Sequence, residues 1–390
     1  MTVSLNHLGD LARKRVAVAA YYFVPGVVFA SWASRIPDVK QMLHFSNGQL
    51  GTVLFAIPIG QLLMMAFSGV LVSKFGSRKM ILLAEVLYAF VLFCMGSSST
   101  VFQLILSLVA FGMMANLMNI ATNTQACLVE KMYGRNIMSS FHGLWSLGGF
   151  SGGIIGAVFA NTLLPIEVHF GAVLVMSLLV IAIGFRYLVD DATAKAEEED
   201  VPKFSFKTID PILFLLGLMG FAGMFCEGTV YDWSGVYFSS VVKPDEAFIR
   251  AGYVAGMGAM TLGRFMADGF VTKYGPSRVL KVCGGLILGG LWLAAALPYL
   301  IPATLGFLLV GFGISSSVPI CYSIAGKLGT IKASIAITIV SSISFFGFLV
   351  GPPVIGWLAE ATGLRIAISI AACLGLMIAF VAAKVGKRIS

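Results

Sequence analysis

Apolar segments long enough to cross a bilayer follow one another along this chain with little between them. A helix needs about 20 mostly apolar residues to span the hydrocarbon core. Segments that qualify run near 16–34, 50–72, 80–96, 101–123, 137–161, 168–188, 211–235, 250–271, 279–297, 302–325, 333–357 and 366–385. Turn chemistry sets several boundaries where charge does not: Gly96-Ser-Ser-Ser-Thr100 parts the third segment from the fourth, and Pro298 with Pro302 the ninth from the tenth. Composition points the same way. Hydrophobic residues make up 58% and charged residues 11% of the chain, against about 25% charged in a soluble domain, whose surface needs charge to stay dispersed. The expected fold class is an all-α membrane protein with 12 transmembrane helices, embedded in a lipid bilayer.

The net charge of +8 raises the question of a nucleic-acid partner, which its placement answers. Nucleic-acid binders gather Lys and Arg on one soluble face. Here they fall in short clusters between apolar runs: Arg13-Lys14-Arg15, Lys74 with Arg78-Lys79, Lys131 and Arg135, Lys273 and Arg278, and Lys384 with Lys387-Arg388. With the N-terminus inside, 20 of the 26 basic residues lie in cytoplasmic connections, as the positive-inside bias requires. Five fall in outer loops (Arg35, Lys40, Lys243, Arg250, Arg365) and Arg264 inside a span. The expectation is an inner-membrane, multi-pass protein with both termini cytoplasmic and no nucleic-acid partner. The small-x-small triplet Ser31-Trp-Ala33 imitates a signal-peptide cleavage site, but the apolar run before it is too long for one, so it reads as an uncleaved first helix. Six cysteines lie in or beside apolar runs without paired spacing, which predicts neither a disulfide framework nor a metal site.

One long polar stretch, Asp190 to Lys207, divides six spans from six. It sets the expected domains: an N-terminal bundle over 1–189, a cytoplasmic linker over 190–208, and a C-terminal bundle over 209–390. The two halves echo each other. Lys74-Phe-Gly76 returns as Lys273-Tyr-Gly275, Trp32 as Trp233 and Gly152 as Gly351, all at offsets of 199 to 201 residues. A shared offset in equivalent spans predicts duplication of a six-helix unit into two pseudo-symmetric bundles, with a solute site near the midplane between the repeats.

Gly69-Val-Leu-Val-Ser73-Lys-Phe-Gly76-Ser-Arg78-Lys79 resembles the G-x-L-x-D-R-x-G-R-K loop of the major facilitator superfamily, and Gly269-Phe-Val-Thr272-Lys-Tyr-Gly275 is its partial copy. Ser73 and Thr272 replace the motif's Asp in the two halves. Ala30-Ser-Trp-Ala-Ser-Arg-Ile-Pro37, Ser140-Phe-His-Gly-Leu-Trp-Ser-Leu-Gly148, Glu227-Gly-Thr-Val-Tyr-Asp-Trp233, Gly263-Arg-Phe265 and Leu349-Val-Gly-Pro-Pro353 resemble the YbjJ-like, fucose-permease-related transporters. The resemblance implies the major facilitator fold and gives Arg78 a place in gating.

Polar groups inside lipid are costly and therefore mark candidate sites. Asn116, Asn119 and Asn123 share a helix face and suit hydroxylated solutes, unless they only bond neighbouring helices. His142, Trp145 and Ser146 share another face; histidine titrates near neutrality and an indole stacks on a sugar ring. Glu227, Tyr231 and Ser234 form a stripe on the seventh helix, with Asp232 beside it and Trp233 at a normal interfacial belt position. Glu227, Asp232 and His142 are the proton-coupling candidates, with Glu227 preferred and Asp232 a turn further out and more hydrated. Tyr22 and Gln61 complete the substrate-binding set. Arg264 and Asp268, four apart, read as a structural or gating pair, and Glu85 as a side chain snorkelling to the cytoplasm.

No nucleophile elbow, phosphate loop or metal-spaced cluster appears in the sequence. The chain therefore reads as a non-enzyme without a cofactor. The leading expectation is a monomeric proton symporter of a small polar solute, a sugar or sugar derivative, working by alternating access. A proton-driven exporter of metabolites or drugs and a non-transporting membrane receptor are the alternatives.

Overall fold

The computed structural model describes residues 5–134, 137–162, 164–191, 210–328 and 333–389. The expected linker lies outside the described residues from 192 onwards, and so does the side chain of Asp268. All regular structure among the described residues is helical. The first six spans are α1 (Leu5–Met42), α2 (Asn47–Leu54) continued by α3 (Ala56–Phe75), α4 (Ser77–Gly96), α5 (Val101–Tyr133), α6 (Met138–Ala160) and α7 (Ile166–Phe185). The last six begin with α8 (Pro211–Gly228), which runs through α9 (Ser234–Tyr237) to Val242. They continue as α10 (Ala251–Tyr274), α11 (Pro276–Ala296), α12 (Leu300–Lys327), α13 (Ala333–Thr362) and α14 (Leu364–Ile389).

Eleven of these helices are long and apolar enough to cross a membrane. The exception is α10, in which Arg264, Asp268, Lys273 and five glycines dilute the apolar residues. Helix ends follow local chemistry. Ser46 and Gln49 form a capping box at α2, Thr100 and Gln103 another at α5, and Asp210 caps α8 with Pro211 at the first helical position. Gly134 ends α5 in the left-handed region.

The chain separates into two compact units, residues 1–35 with 56–199 and residues 36–55 with 200–390. Within each, the repeat seen in the sequence has a structural counterpart. Gly76 and Gly275 take φ of 84° and 79°, a region open mainly to glycine, and each starts a helix after a Lys set over the ring of the intervening aromatic residue. In the first unit Gly148 lies against the backbone of Phe23; in the second Gly347 lies against that of Phe221. A Cβ at either would come within about 3 Å of a backbone carbonyl carbon, so only glycine lets these helices approach so closely.

Residues 36–55 belong to the second unit through specific contacts. Arg250, 3% exposed, donates twice to Asp38 at 2.6 Å. Glu360 accepts from the Gly48 backbone at 3.0 Å, and Trp357 Nε1 donates to Thr52 at 3.2 Å. A Cβ on Gly51 would stand 2.7 Å from the Pro352 carbonyl. Two residues read as outer-loop charges are therefore buried: Arg250 here, and Arg35, which lies inside α1 at 4% exposure and donates to His169 Nδ1 at 3.3 Å. The Asp38 carboxylate offsets the cost of burying Arg250.

Candidate functional site

In the first unit the asparagine row divides. Asn123 Oδ1 accepts the Tyr22 hydroxyl at 2.5 Å, and its amide donates to Asn119 Oδ1 at 2.6 Å. Asn116 accepts instead from Ser68 on α3 at 2.7 Å, so it ties two helices together. Tyr22 stacks on Phe141 and meets His142 edge-on, with ring centroids 5.5 and 5.2 Å apart. Asn119 and His142 are exposed, while Trp145 is half-buried and leans on Phe29. The structure thus brings Tyr22, Asn119, Asn123 and His142 together. Gln61 Oε1 is buried without a hydrogen-bond partner among the described residues.

In the second unit the seventh span changes its winding right after Glu227. Thr229–Trp233 and Phe238–Val242 are π-helical turns on either side of α9, which re-aim the side chains they carry; such turns are frequent at functional sites. Glu227 Oε1 accepts from the Tyr231 hydroxyl at 2.6 Å and from Arg264 Nη2 at 3.2 Å. The expected Arg264–Asp268 reading thus gains a partner that sequence did not suggest. Tyr253 and Phe348 flank the Tyr231 ring at 6.4 Å. The Glu227 and Arg264 side chains are 13% and 23% exposed, so a solute could reach them.

Three readings need correction. Asp232 is buried in the first π turn, 7% exposed, and is not the hydrated group expected; the Tyr253 hydroxyl on α10 is buried without a hydrogen-bond partner among the described residues. Trp233 is 0% exposed, so its ring packs inside the protein and does not face the lipid headgroups. Glu85 is 1% exposed with both carboxyl oxygens unpartnered, so it does not snorkel.

Arg78 stands at the start of α4, where Asp191 gathers the Ser77 backbone and hydroxyl at 3.0 and 2.6 Å and the Arg78 N–H at 3.4 Å. The Arg78 guanidinium is 3.6 Å from Asp190 and lies over the Phe185 ring. Gln125 fastens the same turn to Ser77 and Val189. The acid missing at Ser73 is thus matched by carboxylates arriving after α7, at a helix N-terminus that favours them. Sequence reasoning missed Ser68, Tyr253, Asp191 and the Arg35–His169 contact, because none has a local pattern. Among the described residues no group of three His, Cys, Asp or Glu could hold a metal ion.

A model of the Major Facilitator Superfamily matches residues 18–333. The chain belongs to the major facilitator superfamily. This facilitator is 32% identical to an uncharacterised MFS-type transporter of Yersinia pestis, over 95% of this chain and 94% of the relative. It is 30% identical to membrane protein MosC of Rhizobium meliloti, over 93% and 88%. Among solved structures it resembles a D-xylose–proton symporter, with a TM-score of 0.76, 13% identity and coverage of 95% and 96%. The nucleoside transporter NupG gives 0.72, 14%, 96% and 99%. The protein is accordingly a multi-pass membrane transporter and not an enzyme, and the all-α membrane fold expected from its sequence is the fold it has, with eleven helices long and apolar enough to span a bilayer among the described residues.

Proposed function

We propose that this facilitator is a proton-coupled symporter that imports a small polar solute, a sugar or sugar derivative, across the inner membrane by alternating access. It works as a monomer with both termini cytoplasmic. The observation that carries the reading is Glu227, a carboxylate inside a span, open to 13% and held by Tyr231 and Arg264 where the helix changes its winding. A carboxylate inside a span is costly and is kept there for a function. The Tyr22–Asn123–Asn119 chain supplies the alternating donors and acceptors that a hydroxylated solute needs. The fold is shared with a D-xylose–proton symporter and a nucleoside transporter.

The experiment begins with a thermal-shift screen of purified protein against sugars and metabolites, since a ligand of the native state raises the melting temperature. The hit is then used in vesicles. Glu227→Gln mimics the protonated carboxyl, so gradient-driven accumulation is lost while counterflow exchange of the same solute persists. Uphill accumulation by Glu227→Gln with an unchanged pH dependence would exclude Glu227 as the coupling group.

A further inference from the structure

Glu85 is a buried acid that the symport reading leaves unused. It stands on α4, about 12 Å from the helix start at Ser77 at 1.5 Å per residue. It is 1% exposed, and neither carboxyl oxygen has a hydrogen-bond partner among the described residues. The protein itself covers the group, so lipid headgroups are out of its reach.

Contacts along α4 fix what lies beside it. On α7, Phe170 lies against Gly96, Gly171 against Phe93 and Phe185 under Arg78. The two helices therefore run in opposite directions, with Glu85 level with the region of Ile181. On α5, Phe111 stacks on Tyr88 and Gln125 bonds Ser77, which sets Glu85 level with Met114 and Ala115. The titratable groups near that level are two tyrosines. Tyr88 is the one stacked on Phe111, and Tyr21 of α1 donates its hydroxyl to the Ile181 carbonyl at 2.9 Å. The charged groups of α3, α5 and α7, the helices packed against α4, lie towards their ends. Lys74 ends α3, Glu130 and Lys131 are near the end of α5, Glu167 and His169 near the start of α7, and Arg186 follows it. Arg78, two turns nearer the start of α4, is engaged by Asp190 at 3.6 Å.

A carboxylate without a hydrogen bond or a cation beside it is far costlier to bury than the neutral acid. A leucine would fill the same space without either cost, so an acid here is a functional group by default. We propose that Glu85 is a proton-binding site of the first unit. It holds a proton while α1, α4 and α7 are packed as they are here. It passes that proton to water, and keeps the negative charge, only when these helices part. In the transport cycle it is a second carboxyl that loads and unloads protons beside Glu227. That role rests on the symport reading; the bound proton does not.

The test reads the proton directly, by infrared spectroscopy of purified full-length protein at pH 8. Ordinary carboxyls, with pKa values of about 4, are ionised there, so only tightly held protons leave a carboxylic-acid C=O band. Wild type should show such a band, and Glu85→Gln should lack one carboxyl's share of it. In heavy water the Glu85 component should shift slowly. Tyr21→Phe, which frees α1 from Ile181, should speed that shift several-fold, the scale of one hydrogen bond between membrane helices. Should Glu85→Gln fail to fold, Glu85→Asp takes its place: it moves the carboxyl and must move the band, and an unmoved band overturns the proposal. Equal bands in wild type and Glu85→Gln also overturn it, and leave the symport reading on Glu227 intact. Exchange no faster in Tyr21→Phe overturns the parting of α1 from α7 as the proton's route. A band lost in Glu85→Gln upholds the site even where vesicles show no proton moving with any hit of the solute screen; that result ends the symport reading alone.

Discussion

Asn116 and Asn119 stand three residues apart on α5, and their surroundings set them to different work. Asn116 accepts the Ser68 hydroxyl from a neighbouring helix, whereas Asn119 is exposed and receives only the amide of Asn123. Hydrogen bonds between membrane helices are worth roughly 0.6 kcal/mol on average. Asn116→Leu should therefore lower the melting temperature slightly, with transport falling only as far as folded protein does. Asn119→Leu should leave the melting temperature in place and cut the initial uptake rate about tenfold, the scale of one well-placed hydrogen-bonding group of about 1.4 kcal/mol. The reverse pattern in paired melting and uptake measurements would exchange the two roles. The common face of the row was legible in its spacing, because helical periodicity is local. What each amide touches was not: Ser68 is 48 residues away and Tyr22 is 101. Asp232 and Glu85 were misread for the same reason, since hydropathy along one helix does not say whether its neighbours cover a carboxylate.

At the scale of elements, the boundaries of the spans were legible and their docking was not. A 20-residue apolar run announces itself, and its turn residues end it. By contrast, residues 36–55 lie in the first half of the sequence, yet they pack with α8 to α14. The cause is chemical. Arg250 donates from Nη2 to both carboxylate oxygens of Asp38, and Gly51 and Gly356 let α2 and α13 meet backbone to backbone. Removing one member of a fully buried ion pair costs about 3–5 kcal/mol; Asp38 is 30% exposed, which lowers the expectation to about 2 kcal/mol. Arg250→Ala should loosen this docking, and Arg250→Lys should retain much of it. The reporter is Leu50→Cys, at a position only 1% exposed, with the native cysteines replaced. Its labelling by a membrane-impermeant maleimide should rise several-fold in Arg250→Ala and fall back in the exchanged pair Asp38→Arg with Arg250→Asp. Labelling that Arg250→Ala leaves unchanged would mean that the ion pair does not hold the segment. The π turns around α9 were equally hidden. They insert a residue into a helical ladder without a proline or a polar run to mark the place, and only the packing of Trp233 and Tyr237, both 0% exposed, reveals them.

For the whole molecule the decisive element is α10, because the parity of the spans depends on it. Eleven helices qualify as spans by length and hydropathy, and α10 does not. Its 24 residues are nevertheless about 36 Å long at 1.5 Å per residue, enough for a hydrocarbon core of about 30 Å. The charge that depresses its hydropathy is compensated, since Arg264 meets Glu227 on the neighbouring span. A hydropathy average counts that arginine as if it stood alone in lipid. The duplicated six-helix unit requires the same conclusion, because α10 carries Lys273-Tyr274 ahead of Gly275 as α3 carries Lys74-Phe75 ahead of Gly76. With twelve spans and the basic clusters inside, both termini are expected in the cytoplasm. The expectation is that Ser390→Cys reacts only with reagent admitted from the cytoplasmic side, and Glu246→Cys only with reagent outside, each in a protein whose six native cysteines are replaced. The alternatives leave different signatures. If α10 does not cross, the four helices after it start from the outer face and return to it, so both cysteines react from outside. If the charge bias has the wrong sign, both results exchange sides. Only the pattern in which both cysteines react from outside is incompatible with Glu227 and Arg264 meeting inside the membrane on adjacent crossing helices, so this labelling comes before any test of the chemistry assigned to them.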